Sequence, residues 1–248
     1  MPRTSDAQPR IIIEGVRKTY RLQHTHSFKE TFVAWLQRKR ISTSFEALDQ
    51  IDITVGEGES IALLGYNGSG KSTLLKLVSG VLRPDAGRIL TRGRVAGLIE
   101  VGAGFHPDLS GRENVYLNAA ILGMTKDEID AKFDEIVEFS EIGEFIDTEV
   151  KHYSSGMFVR LAFSVAIHTS LDILLVDEVL AVGDAPFREK CKAKIRELVA
   201  AEKTLFIVSH DLGMVSDLCT RGIVLRRGKM VYDGDIATAI ETLKASKR

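Results

Sequence analysis

The sequence predicts an α/β fold in which a largely parallel sheet is layered with helices and a helical subdomain is inserted. Three observations predict it. Short β-branched runs alternate with helical patterns along most of the chain. A glycine-rich loop sits between one such run and a helix. From about Gly111 to Thr169 the pattern is almost wholly helical.

The clearest strands are Ile11–Glu14, Ser60–Leu64, Ile173–Asp177, Thr204–Ser209 and Ile223–Arg226. They assign residues 10–105 and 170–240 to an α/β core and residues 106–169 to the helical subdomain. Within the latter, Thr125 and Glu128 form a T-x-x-E capping box, after which Ile129, Phe133, Ile136 and Val137 fall on one helical face. Apolar residues make up 44% of the 248, enough for a substantial core. The 33 Lys+Arg nearly cancel the 34 Asp+Glu, so charge gives no reason to expect a nucleic-acid partner. Cys191 and Cys219 have neither CxxC spacing nor a His cluster, and read as reduced structural thiols. No run reaches the roughly 18–20 apolar residues that cross a bilayer, and the first ten residues lack a signal-peptide core. The expectation is a cytosolic chain that leaves any membrane path to another protein.

Gly65-Tyr-Asn-Gly-Ser-Gly-Lys71-Ser72 matches G-x-x-x-x-G-K-[ST], with a strand before it and a helix after it. Glycines let the backbone curl so that successive N–H groups face phosphate oxygens, and the helix N-terminus adds its positive dipole end. Gly65, Asn67, Gly68, Ser69, Gly70 and Thr73 would cradle the phosphates of ATP. Lys71 would bridge the β- and γ-phosphates, and the Ser72 hydroxyl would coordinate Mg2+. Ile173–Val176 then runs into Asp177 and Glu178. Carboxylates at the C-terminal edge of a parallel sheet stand where α/β proteins place ligands. Asp177 would hold Mg2+ through its water shell, and Glu178 would take or orient the proton of the attacking water. His210 follows the next strand, a plausible neighbour of the Asp177 strand, which would bring its imidazole near the γ-phosphate.

Tyr153-Ser-Ser-Gly-Met157 opens a further helix about twenty residues before the acidic strand. It resembles the L-S-G-G-Q signature of ABC ATPases. With the phosphate loop, the Asp177-Glu178 strand, an A-V-G-Asp184 segment similar to the family's D-loop, and His210, it makes a full set in family order. The resemblance covers nearly the whole chain. It implies a P-loop NTPase core of RecA-like type with an antiparallel β portion, and ATP hydrolysis by a dimer around two MgATP. In that dimer the signature of one copy caps the ATP held by the other. Ser154 and Gly156 match the signature's phosphate-touching residues; Ser155 replaces its first Gly and Met157 its Gln. Asp184 takes the D-loop position. Glu100 stands where most relatives have a Gln that touches Mg2+ and the attacking water. Tyr20 matches the aromatic platform for adenine, with Phe45 as a rival.

Glu100 followed by G-A-G-F-H-P and G-R-E-N, with the later Y-S-S-G-M, resembles the ATPases that export lipid-linked polysaccharides such as O-antigen, teichoic acid and cell-wall galactan. That resemblance implies an integral membrane permease, in two copies, as partner and a peripheral place on the cytoplasmic face of the membrane. It also leaves the choice of polysaccharide to the permease, since the sequence continues only shortly past the core. A different exporter, an importer, or a non-transport ABC ATPase are the alternatives. Residues 27–40 form an insert in which Phe28, Phe32, Trp35 and Leu36 share one helical face beside Lys29, Arg38, Lys39 and Arg40. Such a face suits an anionic membrane surface or a glycolipid phosphate, and equally an extra helix packed on the core.

Overall fold

The computed structural model describes residues 8–23, 42–98, 102–177 and 183–246. The expected insert at 27–40, Glu100 and Glu178 lie outside these residues.

Two sheets form the core. The smaller is antiparallel, in the order β2-β1-β4, from β1 (Ile11–Gln23), β2 (Ser42–Val55) and β4 (Ala86–Thr91). The larger has the order β5-β6-β7-β3-β8-β9. It comprises β3 (Ser60–Leu64), β5 (Val95–Leu98), β6 (Ile173–Val176), β7 (Thr204–Val208), β8 (Arg221–Arg226) and β9 (Lys229–Asp235). Its first five strands are parallel, and β9 turns back antiparallel on β8. β3, β6 and β7 are buried along their whole length, as a sheet covered on both faces requires. Alternate residues therefore enter different layers. Leu64, Val176 and Ile207 face a helical layer, whereas Leu63, Leu175 and Val208 face the layer that holds the small sheet.

β1 runs well past the expected Glu14. Register shifts between Ile13 and Val16 and between Val16 and Lys18 break its apolar alternation, and Gly15, at φ 55°, sits inside the first of them. Bulges of this kind interrupt the period-two signal on which a strand is recognised.

Helices α1 (Lys71–Val78), α5 (Ala185–Ala200), α6 (Leu212–Leu218) and α7 (Ile236–Ala245) join these strands or close the sheet. Helices α2 (Gly111–Ile121), α3 (Lys126–Ser140) and α4 (Ser155–His168) share a core of their own, built on Val115, Ile129, Phe133, Ile136, Leu161 and Val165. The Thr125–Glu128 capping box is formed, and a second, Ser110 with Glu113, opens α2. Each box lets the Glu accept from its cap residue's N–H, which holds the carboxyls of Glu113 and Glu128 below their ordinary range.

Candidate nucleotide site

The strand order brings three loops together. β6, β7 and β3 are consecutive neighbours, so the segments after their C-terminal ends, Asp177, Ser209-His210 and the glycine-rich loop, emerge side by side. Crevices outside the carboxyl ends of parallel strands are where α/β folds bind ligands.

Asn67, Gly68, Ser69, Gly70, Lys71, Ser72, Thr73 and Asp177 line one cleft of about 410 Å³. The loop is held from behind. Gly70 has φ 108°, and a Cβ there would fall 2.6 Å from the Ala47 carbonyl oxygen of β2, so only glycine allows this approach. Gly228, in the β8–β9 turn, donates its N–H to the Ser69 carbonyl at 3.0 Å. Gly70 is also the N-cap of α1 and supplies no side-chain acceptor to that helix, which leaves its first-turn amides directed at the cleft. Lys71 is buried, and its Nζ donates to the carbonyls of Gly65 at 2.8 Å and Tyr66 at 3.3 Å. Ser72 is exposed beside it and Asp177 is half-buried.

His210 and Gly65 line an adjoining cleft with Tyr66 and Ser209 rather than the one that holds Asp177. The two candidate adenine platforms turn out to be direct cross-strand partners, Tyr20 on β1 opposite Phe45 on β2. Opposed residues of an antiparallel pair project to the same face, so the rivals form one aromatic surface. Phe45 is 47% exposed, and Lys18 Nζ lies 6.0 Å from the Tyr20 ring centroid.

Ser154 is the N-cap of α4 and accepts from the Met157 N–H at 3.2 Å; Ser154 and Ser155 are exposed and Gly156 is half-buried. None of these three lines the cleft of the same copy. Asp184 is the N-cap of α5 and is also bonded to Arg160 of α4, Nη2 to Oδ1 at 2.7 Å. Arg160, absent from the sequence expectations, lies over the Phe187 ring at 5.0 Å and bonds Glu141 at 2.8 Å. Its signal in the sequence was only its place six residues after Ser154.

The G-F-H-P and G-R-E-N segments are one construction. Asn114 is fully buried; its Oδ1 accepts from the His106 N–H at 2.7 Å, and its Nδ2 donates to the carbonyls of His106, Leu109 and Ser110 at 2.9–3.1 Å. Gly111 in turn makes room for Tyr153, whose hydroxyl donates to the Phe145 carbonyl at 2.7 Å; a Cβ on Gly111 would fall 2.1 Å from that hydroxyl oxygen.

Residues 48–181 match the family model described as ABC transporter. The chain belongs to the ABC transporter family. As an ABC cassette it is an ATPase that binds nucleotide. It is 46% identical to the O-antigen export system ATP-binding protein RfbB of Myxococcus xanthus, over 88% of this chain and 51% of that one. It is 40% identical to the teichoic acids export ATP-binding protein TagH of Staphylococcus epidermidis, over 94% of this chain and 87% of that one. In fold, this ABC cassette is similar to the dimeric structure of a post-hydrolysis cassette bound to ADP and Pi, with a TM-score of 0.71, 21% identity, and coverage of 91% and 98% of the two chains.

Proposed function

We propose that this ABC cassette hydrolyses MgATP to drive the export of a lipid-linked polysaccharide through a membrane permease. The observation that carries the ATPase site is the single cleft shared by the glycine-rich loop, Lys71, Ser72 and Asp177. Lys71 would exchange its loop carbonyls for the β- and γ-phosphates. Mg2+ fits the donors present. Ser72 and Asp177 offer hard oxygens. This suits an ion held by one or two protein oxygens together with substrate phosphates. When bound, Mg2+ would neutralise charge developing on the phosphate oxygens. Glu178 would orient the attacking water, with His210 and Glu100 close to the γ-phosphate. Tyr20 and Phe45 together would stack on adenine.

Ser154, Ser155 and Gly156 would close over the ATP of a second copy, with Asp184 at the same junction. Their place outside the cleft of their own copy supports a dimer. ATP binding would close it and hydrolysis would reopen it, so the work comes from tighter binding of ATP to the closed state. Among the described residues no helix is long and apolar enough to cross a membrane. Two copies of an integral permease would supply the path, with the cassette peripheral on the cytoplasmic face. Likeness to RfbB and TagH supports a polysaccharide cargo, and so do the packed G-F-H-P, G-R-E-N and Y-S-S-G-M segments.

The test is Glu178→Gln, tagged, expressed in its own cells and held with MgATP before detergent extraction and mass spectrometry. A multi-helix membrane protein with a co-purifying lipid-linked glycan is the expected result. Recovery of soluble partners alone, such as ribosomal proteins, would sink the export reading and leave the ATPase standing.

A further inference from the structure

The glycine-rich loop has a second attachment, away from the cleft that holds Asp177. Tyr66, the loop's second residue, donates its hydroxyl to the carbonyl oxygen of Leu243 at 3.0 Å. Leu243 lies in the last turn of α7, where its carbonyl also accepts from the N–H of the C-cap Ser246 at 3.2 Å. That helix is seated closely on β8, since a Cβ on Gly222 would fall 2.5 Å from the Ala239 Cβ. The backbone carbonyl of the same Tyr66 accepts from Lys71 Nζ at 3.3 Å. Tyr66 thus holds the end of α7 with its side chain and the loop lysine with its backbone. A cleft of about 260 Å³, bounded by Tyr66, His210, Leu243 and Lys244 among others, sets the end of α7 beside His210 as well.

We propose that Tyr66 is a positioning residue that couples the last turn of α7 to the ATP site, so that ATP occupancy and the order of that turn change together. The inference rests on reading the cleft as the ATP site. When Lys71 swings from the Tyr66 carbonyl to phosphate, that carbonyl loses one donor while keeping the Ser69 N–H at 3.1 Å, and the loop's readjustment reaches the Leu243 bond through the same residue. Linkage is reciprocal. Any molecule or chain segment that binds the end of α7 would change ATP affinity by the factor with which ATP changes its own.

Full-length wild type and Tyr66→Phe, which removes only the hydroxyl, are compared by MgATP titration and by hydrogen exchange over residues 240–246 with and without MgATP. In the wild type, MgATP should change exchange in this turn. In Tyr66→Phe, exchange there should be faster and indifferent to MgATP, and ATP affinity should shift about two- to tenfold, the range of one net hydrogen bond. Wild-type affinity together with a wild-type exchange response in Tyr66→Phe would overturn the coupling. A changed affinity with an unchanged exchange response would overturn it too, because the effect would then be local to the loop. If the wild type itself bound no ATP, the functional reading would fall and the coupling with it.

Discussion

Arg160 Nη2 and Asp184 Oδ1 are 2.7 Å apart, and through them the helix opened by Ser154 is tied to the segment that follows Asp177. Burial opposes the charge on Asp184, but the Arg160 bond and charge, with the Phe187 amide, outweigh it and hold the carboxyl below its ordinary range. We predict that Arg160→Ala and Asp184→Ala each slow ATP turnover several-fold, and that the double variant is little slower than either. Groups that act through one contact are non-additive. Fully multiplicative effects in steady-state ATPase assays would break the link.

Tyr20 and Phe45 should be tested as one surface. Tyr20→Ala and Phe45→Ala should each weaken ATP binding, by up to roughly 1–3 kcal/mol, the range of base–aromatic stacking. Inorganic triphosphate, which has no base, should bind both variants as it binds the wild type. Calorimetric titration with the two ligands separates the platform from the phosphate loop.

Ser154 has two roles that substitution can separate. Ser154→Ala should cost about 1 kcal/mol of stability through loss of the cap, and Ser154→Gly only a few tenths. Both should lose ATP-dependent dimerisation if the hydroxyl touches the partner copy's nucleotide. The checks are denaturant melts beside light scattering with MgATP in the Glu178→Gln background. A Ser154→Gly chain that dimerises normally would restrict Ser154 to its cap.

His168 closes the same helix. Burial lowers its pKa against the bond between its Nδ1 and the Ser164 carbonyl at 2.7 Å, and its ring meets Phe139 edge-on at 5.1 Å. The folded chain thus prefers the neutral ring more than the unfolded chain does. Its stabilising contribution is present above the unfolded value of about 6.5 and is lost as pH falls below that value toward the folded one. Urea melts at pH 7.5 and 5.5 should show a loss in the wild type that is smaller in His168→Phe.

The inner strands of the central sheet were legible because they are buried on both faces and therefore read as apolar runs, as Ile61–Leu64 and Ile173–Val176 do. β4 is nearly all exposed, so it leaves no such trace, and β1 was cut short by the bulge at Gly15. The glycine-rich loop was legible as a strand–loop–helix junction because its motif has fixed spacing, and it does lie between β3 and α1. Arg160 was not, since a lone arginine on a helix has the pattern of a solvated face until its partners are seen. The choice between Tyr20 and Phe45 depends on cross-strand register, which two separated stretches of sequence do not display.

Gly111 and Tyr153 occupy space that only one of them can fill. Any descendant of this chain that gains a side chain at 111 collides with the hydroxyl at 153, and one that trades Tyr153 for a smaller residue opens a void and leaves the Phe145 carbonyl with the Thr148 N–H but without the hydroxyl. The two positions form a single heritable unit. They should drift as a pair among relatives, and a chimera that exchanges residues 106–114 without 150–157 should fold poorly even when both parents fold well.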